Sequence, residues 1–363
     1  MKVLGLYLPQ YHEIEENNKW WGDGYTEWQA VKSAKPLYNG HNQPKKPLND
    51  NYYDLLKNGV ETWKWQAYLA KKNGVYGFCI YHYWFLGKQL LQDPMEILLQ
   101  NPDIDINYTI CWANESWTRT WYGLESAVLM KQEYGKESEW RKHFDYLLRF
   151  FKDKRYIKIN NKPMLNIYRS FDIAEFKEML DIWNHMAIEN GFDGIYIVSG
   201  NTHSQLETRV DLVDAYYNFE PGFSLKHRMR ALATLSYYVR TWIKQNVNKI
   251  LGKEYLERTL NVKEIYKVNW KKLKNTDKPV FPGTLPMWDN TPRKKHKGFE
   301  YKSTSPDLFY KNLINIKNSV DSNSELNFVY INAWNEWGEG AYLEPDEEYG
   351  YDYLKVVKRA VEE

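Results

Sequence analysis

The sequence has no long hydrophobic run, since none approaches the roughly 18 apolar residues that a membrane-spanning helix requires. Only two cysteines, Cys79 and Cys111, occur among 363 residues, which is too few for a disulfide framework and typical of a reduced protein. The first 21 residues become polar too early for a secretory signal and contain no small-residue cleavage site. These absences predict a cytoplasmic location.

The sequence also has no large excess of charge of one sign. Lys and Arg number 49 against 47 Asp and Glu, so the formal net charge of +2 does not show the basic bias of a nucleic-acid-binding protein. There is no His-Glu-x-x-His motif, no cysteine cluster, no glycine-rich phosphate loop and no serine elbow, and the eight histidines are scattered. We therefore expect no nucleic-acid partner, no metal and no cofactor.

Aromatic residues are abundant, with 16 Trp, 30 Tyr and 14 Phe making up 17% of the chain. Some of these rings belong in a hydrophobic core, where each buries a large area. However, the Trp and Tyr residues cluster with Gly, Asn, His and Glu in short segments. Sugar rings have flat apolar faces edged by hydroxyl groups, which amphipathic rings bordered by amides and carboxylates complement. This pattern predicts a carbohydrate-binding protein.

Short β-rich runs alternate with stretches of helical period, which favours an α/β fold with a parallel sheet. Eight such units predict a (β/α)8 TIM barrel with long loops after the strands. An open doubly wound sheet is the alternative, but the glycine-rich fingerprint expected after its first strand is missing. The predicted strands are 2–7, 75–81, 106–112, 163–168, 194–199, 214–217, 279–283 and 327–331, and the predicted helices are 60–72, 94–100, 137–152, 173–189, 306–319 and 351–362.

Residues 221–278 interrupt this alternation between the sixth and seventh strands. They hold 14 Lys and Arg against four Asp and Glu, and part of their sequence has the periodicity of an amphipathic helix. We therefore interpret them as a basic helical insertion. The simpler interpretation is a solvated excursion packed on the barrel. The alternative is a surface that binds anionic lipid or a polyanionic or lipid-linked glycan, which places the protein peripherally at the inner face of the membrane.

The segment 332–340, after the last predicted strand, is the strongest candidate for chemistry. It holds Glu336 and Glu339 three residues apart, with glycines that permit a tight turn. Glycosidic bond cleavage needs one group to protonate the leaving oxygen and a second group to assist at the anomeric carbon. At a barrel mouth we therefore predict that Glu336 and Glu339 are catalytic. The alternative is a turn whose glutamates cap the final helix or pair with arginines.

A second Asn-Glu dipeptide, Asn114-Glu115, follows the third predicted strand. Glu115 and Glu336 form a rival catalytic pair, but we favour a Glu115 that orients a substrate hydroxyl group or pairs with Arg119. Other aromatic and polar residues at strand ends are suited to stacking on sugar rings or binding hydroxyl groups. The predicted substrate-binding residues are Trp21, His82, Trp84, Trp112, Asn114, Glu115, Trp288, Asp289, Asn290, Trp334, Asn335, Trp337 and Glu344.

Several segments together resemble those of the WbsX-type proteins, which are often labelled glycosyltransferases of bacterial surface-polysaccharide clusters and belong with the glycoside hydrolase family 99-like barrels. These segments are residues 8–28, HYWFLGK, CWANESW, WDNTPR and NAWNEWGEGAYLEPD, and they span nearly the whole chain. The resemblance implies a single catalytic barrel over residues 1–363. It implies a carbohydrate-active enzyme acting on a bacterial surface polysaccharide, such as lipopolysaccharide, or on its precursor.

In the related endo-α-mannosidases a Glu-x-x-Glu pair follows the last strand. By this resemblance, Glu336 makes the sugar 2-hydroxyl group attack its own anomeric carbon, giving a 1,2-anhydro intermediate, and Glu339 is the general acid and then the base. The mannosidases have His between the two glutamates where this chain has Trp337-Gly338, so mannose is not implied. We expect a retaining hydrolase or transglycosylase. The alternative is a glycosyltransferase of O-antigen or capsular polysaccharide biosynthesis that uses a nucleotide-sugar donor.

Overall fold

The computed structural model of the protein describes residues 1–118, 127–203, 206–228, 231–251, 259–271, 277–320 and 325–363. Within these ranges, no helix has both the length and the apolar character that crossing a membrane requires. Residues 229–230, 252–258 and 272–276 of the predicted insertion, and Arg119, lie outside the described residues.

The fold is a nearly closed barrel of parallel strands, which confirms the predicted TIM-type (β/α)8 class. Hydrogen bonds join nine strands in the order β7-β6-β5-β4-β3-β2-β1-β9-β8. Each of the eight predicted strands overlaps one of them or, in the case of 279–283, two. The strands are β1 (Lys2–Tyr7), β2 (Val75–Phe85), β3 (Asn107–Trp112), β4 (Lys162–Ile167), β5 (Tyr196–Asn201), β6 (Ala215–Asn218), β7 (Val280–Phe281), β8 (Gly283–Thr284) and β9 (Phe328–Ile331).

The seventh barrel position is split into β7 and β8 because Pro282, which has no N–H group to give to a ladder, lies between them. The piece before Pro282 pairs with β6 and the piece after it pairs with β9, so together they close the ring. The carbonyl oxygen of Pro282 still accepts from the N–H of Tyr330 at 3.0 Å. A Cβ atom at Gly283 would lie 1.9 Å from the carbonyl oxygen of Asn218, so this closure requires glycine.

Helices surround the barrel and enter its loops. All six predicted helices are present; the helix predicted from residue 173 begins at Phe176, because Ser170–Asp172 forms a separate 3₁₀ turn. The helices are α1 (Glu15–Trp21), α2 (Glu27–Ser33), α3 (Gly59–Lys72), α4 (Asp93–Gln100), α5 (Glu137–Phe151), α6 (Phe176–Glu189), α7 (Ala231–Leu251), α8 (Lys263–Tyr266), α9 (Thr291–Lys294), α10 (Pro306–Ser319) and α11 (Asp352–Glu362).

Much of the aromatic content lies in the core. The largest fully buried side chains are all Trp or Tyr, among them Trp63, Trp183, Tyr217 and Tyr330. The rings of Tyr217 and Tyr330 stack inside the barrel with centroids 4.7 Å apart. Composition alone therefore overstates the number of rings available to a sugar, since an aromatic ring stabilises a core as readily as it stacks on a ligand. Both cysteines are buried and free.

Long segments follow the carboxyl ends of four barrel positions and carry the loop helices. Helices α1 and α2 follow β1, while α7 and α8 lie between β6 and β7 within the range interpreted as the insertion. Helix α9 follows β8, and the Glu336–Glu339 segment follows β9. Because the carboxyl ends of parallel barrel strands meet on one face, these segments come together there.

Candidate active site

Glu336 and Glu339 project from a tight turn after β9. Asn335–Glu336 pairs antiparallel with Ala341–Tyr342, and Trp337–Glu339 forms a 3₁₀ turn between them. The turn closes at Gly340, whose φ of +57° is in the left-handed region that favours glycine. This local geometry brings the two carboxylates to one guanidinium group: Nη1 of Arg293 lies 2.9 Å from Oε1 of Glu339 and 3.7 Å from Oε2 of Glu336.

Glu336 is the more buried of the two carboxylates. The hydroxyl group of Tyr81, at the middle of β2, donates a hydrogen bond to its Oε1 at 3.0 Å. Burial, and then the negative charge of Glu339, raise the pKa of Glu336 to about 8, while Arg293 and the Tyr81 hydrogen bond oppose the shift. The raised pKa favours the protonated form of Glu336 near neutral pH.

Arg293 is held from behind by a third carboxylate. Its Nε donates to Oε1 of Glu27 at 2.7 Å, and the Glu27 side chain, at the start of α2, is fully buried. Burial raises the pKa of Glu27, and the charge of Arg293 opposes that shift. Gly338 leaves the space for this pair, since a Cβ atom there would lie 1.8 Å from Oε1 of Glu27 and 2.9 Å from Nε of Arg293.

The pair lies in a cavity of about 860 Å³ at the carboxyl face of the barrel. This volume accommodates several sugar rings. The lining comes from every barrel position, which is the arrangement in which a TIM barrel forms an active site. The lining residues include Gln10, Tyr81, Tyr83, Glu115, Tyr168, His203, Phe219, Leu225, Trp242, Trp288, Asn290, Arg293, Lys294, Lys297, Phe299, Glu336 and Glu339.

Glu115 lines both this cavity and a second cavity of about 520 Å³. The second cavity is polar, with Ser116, Gln132 and Tyr134 among its lining residues. Nη1 of Arg169 donates to Oε1 of Glu115 at 2.7 Å, so Glu115 has a cationic partner in Arg169. Burial raises the pKa of Glu115, and Arg169 opposes the shift.

Of the predicted substrate-binding residues, Glu115, Trp288 and Asn290 line the main cavity. Four others, which lie behind the Glu336–Glu339 turn and outside the lining, are Trp334, Asn335, Trp337 and Glu344. Asn335 accepts from the backbone N–H of Leu8 at 2.8 Å and so ties the turn to the end of β1. Glu344 is buried and accepts hydrogen bonds from the indole N–H groups of Trp334 (3.0 Å) and Trp337 (2.7 Å) and from Gln66 and Tyr53.

Residues 288–299, called the α9 segment, contain helix α9. Asp289 is buried near the start of this segment and holds it in place. Burial alone would raise its pKa, but hydrogen bonds from His41, Gln43 and Thr291 outweigh it, and the pKa is lowered. His41 Nε2 lies 2.8 Å from Asp289 Oδ2, and the Thr291 hydroxyl donates to Oδ1 at 2.7 Å. The N–H of Asp289 also donates to the carbonyl oxygen of Glu339 at 2.7 Å, which joins the two loops that carry Arg293 and the glutamate pair.

The remaining predicted residues lie outside the main lining. His82 is buried, with its Nε2 3.0 Å from Nε2 of His143, and burial lowers the pKa of His82 to about 3. Trp84 and Trp112 both contact the His143 ring. Asn114 lines the second cavity and accepts from the N–H of Arg169 at 2.8 Å. Trp21, in α1, is half-buried and 6.0 Å from the Tyr25 ring.

Arg293, Glu27 and Tyr81 were not among the residues predicted for the site. Each lies in or beside an aromatic-rich segment that follows a predicted strand. In sequence, however, Arg293 begins a basic run and is not distinguished from an exposed surface cation. Only the fold brings Glu27, from the loop after β1, to Arg293, from the loop after β8. In the part of the chain that the structure describes, no group of three or more His, Cys, Asp or Glu side chains could hold a metal ion.

The barrel and its candidate site lie within the part of the chain that one protein family covers. The chain belongs to the family described as Glycosyltransferase WbsX, which matches residues 3–357.

Two curated relatives are the proteins WxcX of two Xanthomonas campestris pv. campestris strains. They are 31% identical over 361 residues and 32% identical over 366 residues, in each case covering 99% of this chain and 49% of the relative. The chain thus spans about half the length of the curated relatives that it matches.

Two solved structures share the fold. A glycoside hydrolase-like protein superposes with a TM-score of 0.57 at 12% identity, covering 99% of this chain and 93% of the other. The GH99 endo-alpha-mannosidase from Bacteroides thetaiotaomicron superposes with a TM-score of 0.55 at 14% identity, covering 99% and 96%. At this level of identity the similarity concerns the fold.

Proposed function

We propose that the protein is a retaining glycoside hydrolase or transglycosylase that uses Glu336 and Glu339 on a bacterial surface polysaccharide or its precursor. One observation carries the proposal: a single guanidinium group contacts both carboxylates inside a large cavity at the barrel mouth. Of two such neighbouring carboxylic groups, one is suited to hold a proton and the other to be ionised. Glycosyl transfer needs one acid and one base at the reacting centre.

The protonation of the two carboxylates supports this chemistry. Burial and the charge of Glu339 raise the pKa of Glu336 to about 8, so the pair binds one proton at neutral pH. In the unliganded site Glu339 pairs with Arg293, and the raised pKa of Glu336 favours its protonated form. The proposed roles require the proton on Glu339 when the substrate is bound. A bound sugar favours this transfer, because its 2-hydroxyl group donates a hydrogen bond to an ionised Glu336 and its leaving oxygen accepts one from a protonated Glu339.

In the proposed first step, Glu336 takes the proton of the sugar 2-hydroxyl group and O2 attacks C1. The bond from C1 to the leaving oxygen breaks, and that oxygen receives the proton of Glu339. In the second step a water molecule or an acceptor hydroxyl group gives its proton to Glu339 and attacks C1. The C1–O2 bond then breaks and O2 recovers its proton from Glu336. Two displacements at C1 retain the anomeric configuration.

Proton NMR of the reaction tests this proposal. A panel of aryl glycosides of different ring configuration is offered to the wild-type protein, and the anomeric proton of the first-formed product is followed for the configuration that is cleaved. We expect retention, with Glu336→Gln and Glu339→Gln each slower by orders of magnitude although both variants unfold cooperatively as folded proteins. An inverted product, or full activity in both variants, contradicts the proposal.

A glycosyltransferase that uses a nucleotide-sugar donor is the second candidate, and two observations support it. The family carries that description, and Lys294 and Lys297 line the cavity beside Arg293. Lysine and arginine side chains are common ligands of a diphosphate group. Calorimetric titration with a set of nucleotide-sugars separates the candidates, since tight binding of one of them together with transfer to a glycan acceptor favours this reaction over hydrolysis.

We further propose that residues 1–363 form one catalytic unit.

We also propose that the insertion 221–278 contacts an anionic membrane surface or a lipid-linked glycan. Helix α7 leaves several large apolar side chains exposed, with Val239, Trp242, Ile243 and Ile250 at helical spacing. The insertion carries 14 Lys and Arg against four Asp and Glu. An apolar face with basic surroundings is suited to the headgroup region of an anionic bilayer. This contact and the free buried cysteines support a cytoplasmic location at the inner face of the membrane.

Sedimentation with vesicles tests the membrane contact. We expect binding to phosphatidylglycerol-containing vesicles at low salt, release at high salt, and weaker binding by Trp242→Ser/Ile250→Ser. Ile188→Ser, which changes an exposed residue of α6, is the matched control. Binding that is independent of salt, or equal in both variants, contradicts the proposed contact.

A further inference from the structure

The main cavity has two lysine side chains on the side opposite Glu115. Glu115 follows β3, whereas Lys294 and Lys297 follow β8, which is part of the split seventh barrel position. The third and seventh positions are four strands apart in either direction around the ring, so they face each other across the mouth. A substrate that spans the cavity therefore meets a carboxylate with its own arginine on one side and lysines on the other.

The carboxylates that line the cavity each contact an arginine of the protein. Glu115 pairs with Arg169 at 2.7 Å, and Glu339 pairs with Arg293 at 2.9 Å. Arg293 in turn contacts Glu27 and Glu336. Lys294 is half-buried, and among the described residues no carboxylate forms an ion pair with it. Lys294 and Lys297 therefore add two positive charges to the side of the cavity formed by the α9 segment.

Apolar rings flank this basic side. Trp288 and Phe299 come from the same segment as the two lysines and stack with ring centroids 6.0 Å apart, and both line the cavity. Trp242, from α7, lines it as well and is 64% exposed. Partial exclusion of water by such rings strengthens the attraction between a lysine and an anion. The segment thus places a stacking surface and two cations in the cavity that also holds Glu336 and Glu339.

We infer that Lys294 and Lys297 form an anion subsite beside the catalytic pair, which binds a phosphate or carboxylate group carried by the substrate. The inference rests on the proposed function in taking this cavity as the substrate site, and it adds that the substrate is an anionic glycoconjugate. Each lysine supplies a charge-assisted hydrogen bond to the anion. The uncharged part of the substrate then extends toward Glu115 and the second cavity.

Calorimetric titration with pyrophosphate, uridine diphosphate, methyl glucuronide and methyl glucoside tests the inference without requiring catalysis. We expect one of the anionic probes to bind the wild-type protein and Lys294→Gln/Lys297→Gln to bind it at least about tenfold more weakly, with a smaller dependence on salt. Lys295→Gln, in the same basic run but outside the cavity lining, is the matched control and should bind normally. Melting temperatures establish that the three proteins are folded.

The probes distinguish the source of the anion. Tighter binding of uridine diphosphate than of pyrophosphate identifies a nucleotide-linked donor, and a preference for methyl glucuronide over methyl glucoside identifies an acidic sugar. The inference is overturned if none of the anionic probes binds, or if Lys295→Gln weakens binding as much as the double substitution. Glycoside cleavage without anion binding overturns the subsite alone, whereas anion binding without cleavage of any glycoside leaves the subsite and overturns the hydrolase proposal.

Discussion

Nη1 of Arg293 lies 2.9 Å from Oε1 of Glu339, which joins two residues from loops that follow different barrel strands. The same guanidinium group reaches Glu336 with Nη1 and the buried Glu27 with Nε. One cation therefore serves three carboxylates. With all four groups charged the cluster has an excess of two negative charges, so the uptake of one proton is favourable. The proposed acid and base share that proton.

Replacement of Arg293 is expected to affect stability as well as activity. In Arg293→Gln, Glu27 becomes a buried carboxylate without a cation, so the free energy of unfolding should fall by about 3–5 kcal/mol. Adding Glu27→Gln should recover part of that loss, because it removes the uncompensated charge. Urea denaturation of the single and double variants measures both effects.

Arg141→Gln is the control for this prediction, since Arg141 forms an exposed pair with Glu137 at 2.8 Å that should contribute under about 1 kcal/mol. Equal unfolding free energies for Arg293→Gln and Arg141→Gln contradict the role given to Arg293.

The proton on Glu336 makes stability depend on pH. The pKa of Glu336 in the folded protein is raised to about 8 from the ordinary value of 4.5. The folded state therefore holds a proton that the unfolded state releases, and the resulting stabilisation decreases as the pH rises from about 5 to 8. Glu336→Gln removes this titration, so its free energy of unfolding should decline less than that of the wild-type protein over the same pH range. The two declines should differ by an amount on the order of 4 kcal/mol.

Urea denaturation of both proteins at several pH values measures this difference. Parallel stability curves for the wild-type protein and Glu336→Gln show that Glu336 has no raised pKa. The same proton predicts that kcat/KM decreases above about pH 8, where Glu336 loses it.

Gly338 is expected to tolerate no side chain. The Cβ atom of Gly338→Ala would lie 1.8 Å from Oε1 of Glu27, so this carboxylate must move away from Arg293. Activity should fall about a hundredfold or more, because misplacement of a positioning group by 1 Å can have an effect of that size. A double-mutant cycle with Glu27→Ala provides the check: once the Glu27 carboxylate is absent, adding Gly338→Ala should have a much smaller effect. Additive losses contradict the proposed clash.

The barrel could be predicted from the sequence because strand-helix alternation is a local pattern. The position of Glu336 and Glu339 at a strand end followed from the same pattern. Which way each tryptophan points could not be predicted: Trp288 lines the cavity, while the indole groups of Trp334 and Trp337 donate to Glu344 behind the turn. An amphipathic ring is suited to both places. The Glu27–Arg293 pair depends on long-range packing, which no sequence spacing records.

The most direct test of the account compares two leaving groups. Glu339→Gln and Glu336→Gln are assayed with an alkyl glycoside and with the glycosyl fluoride of the configuration that the wild-type protein cleaves. Fluoride leaves without protonation, so Glu339→Gln should be slow on the alkyl glycoside and regain much of its first-step rate on the fluoride, whereas Glu336→Gln should be slow on both. Loss of both activities in Glu339→Gln together with recovery in Glu336→Gln would contradict the assigned roles, and full activity in both variants would contradict catalysis by this pair.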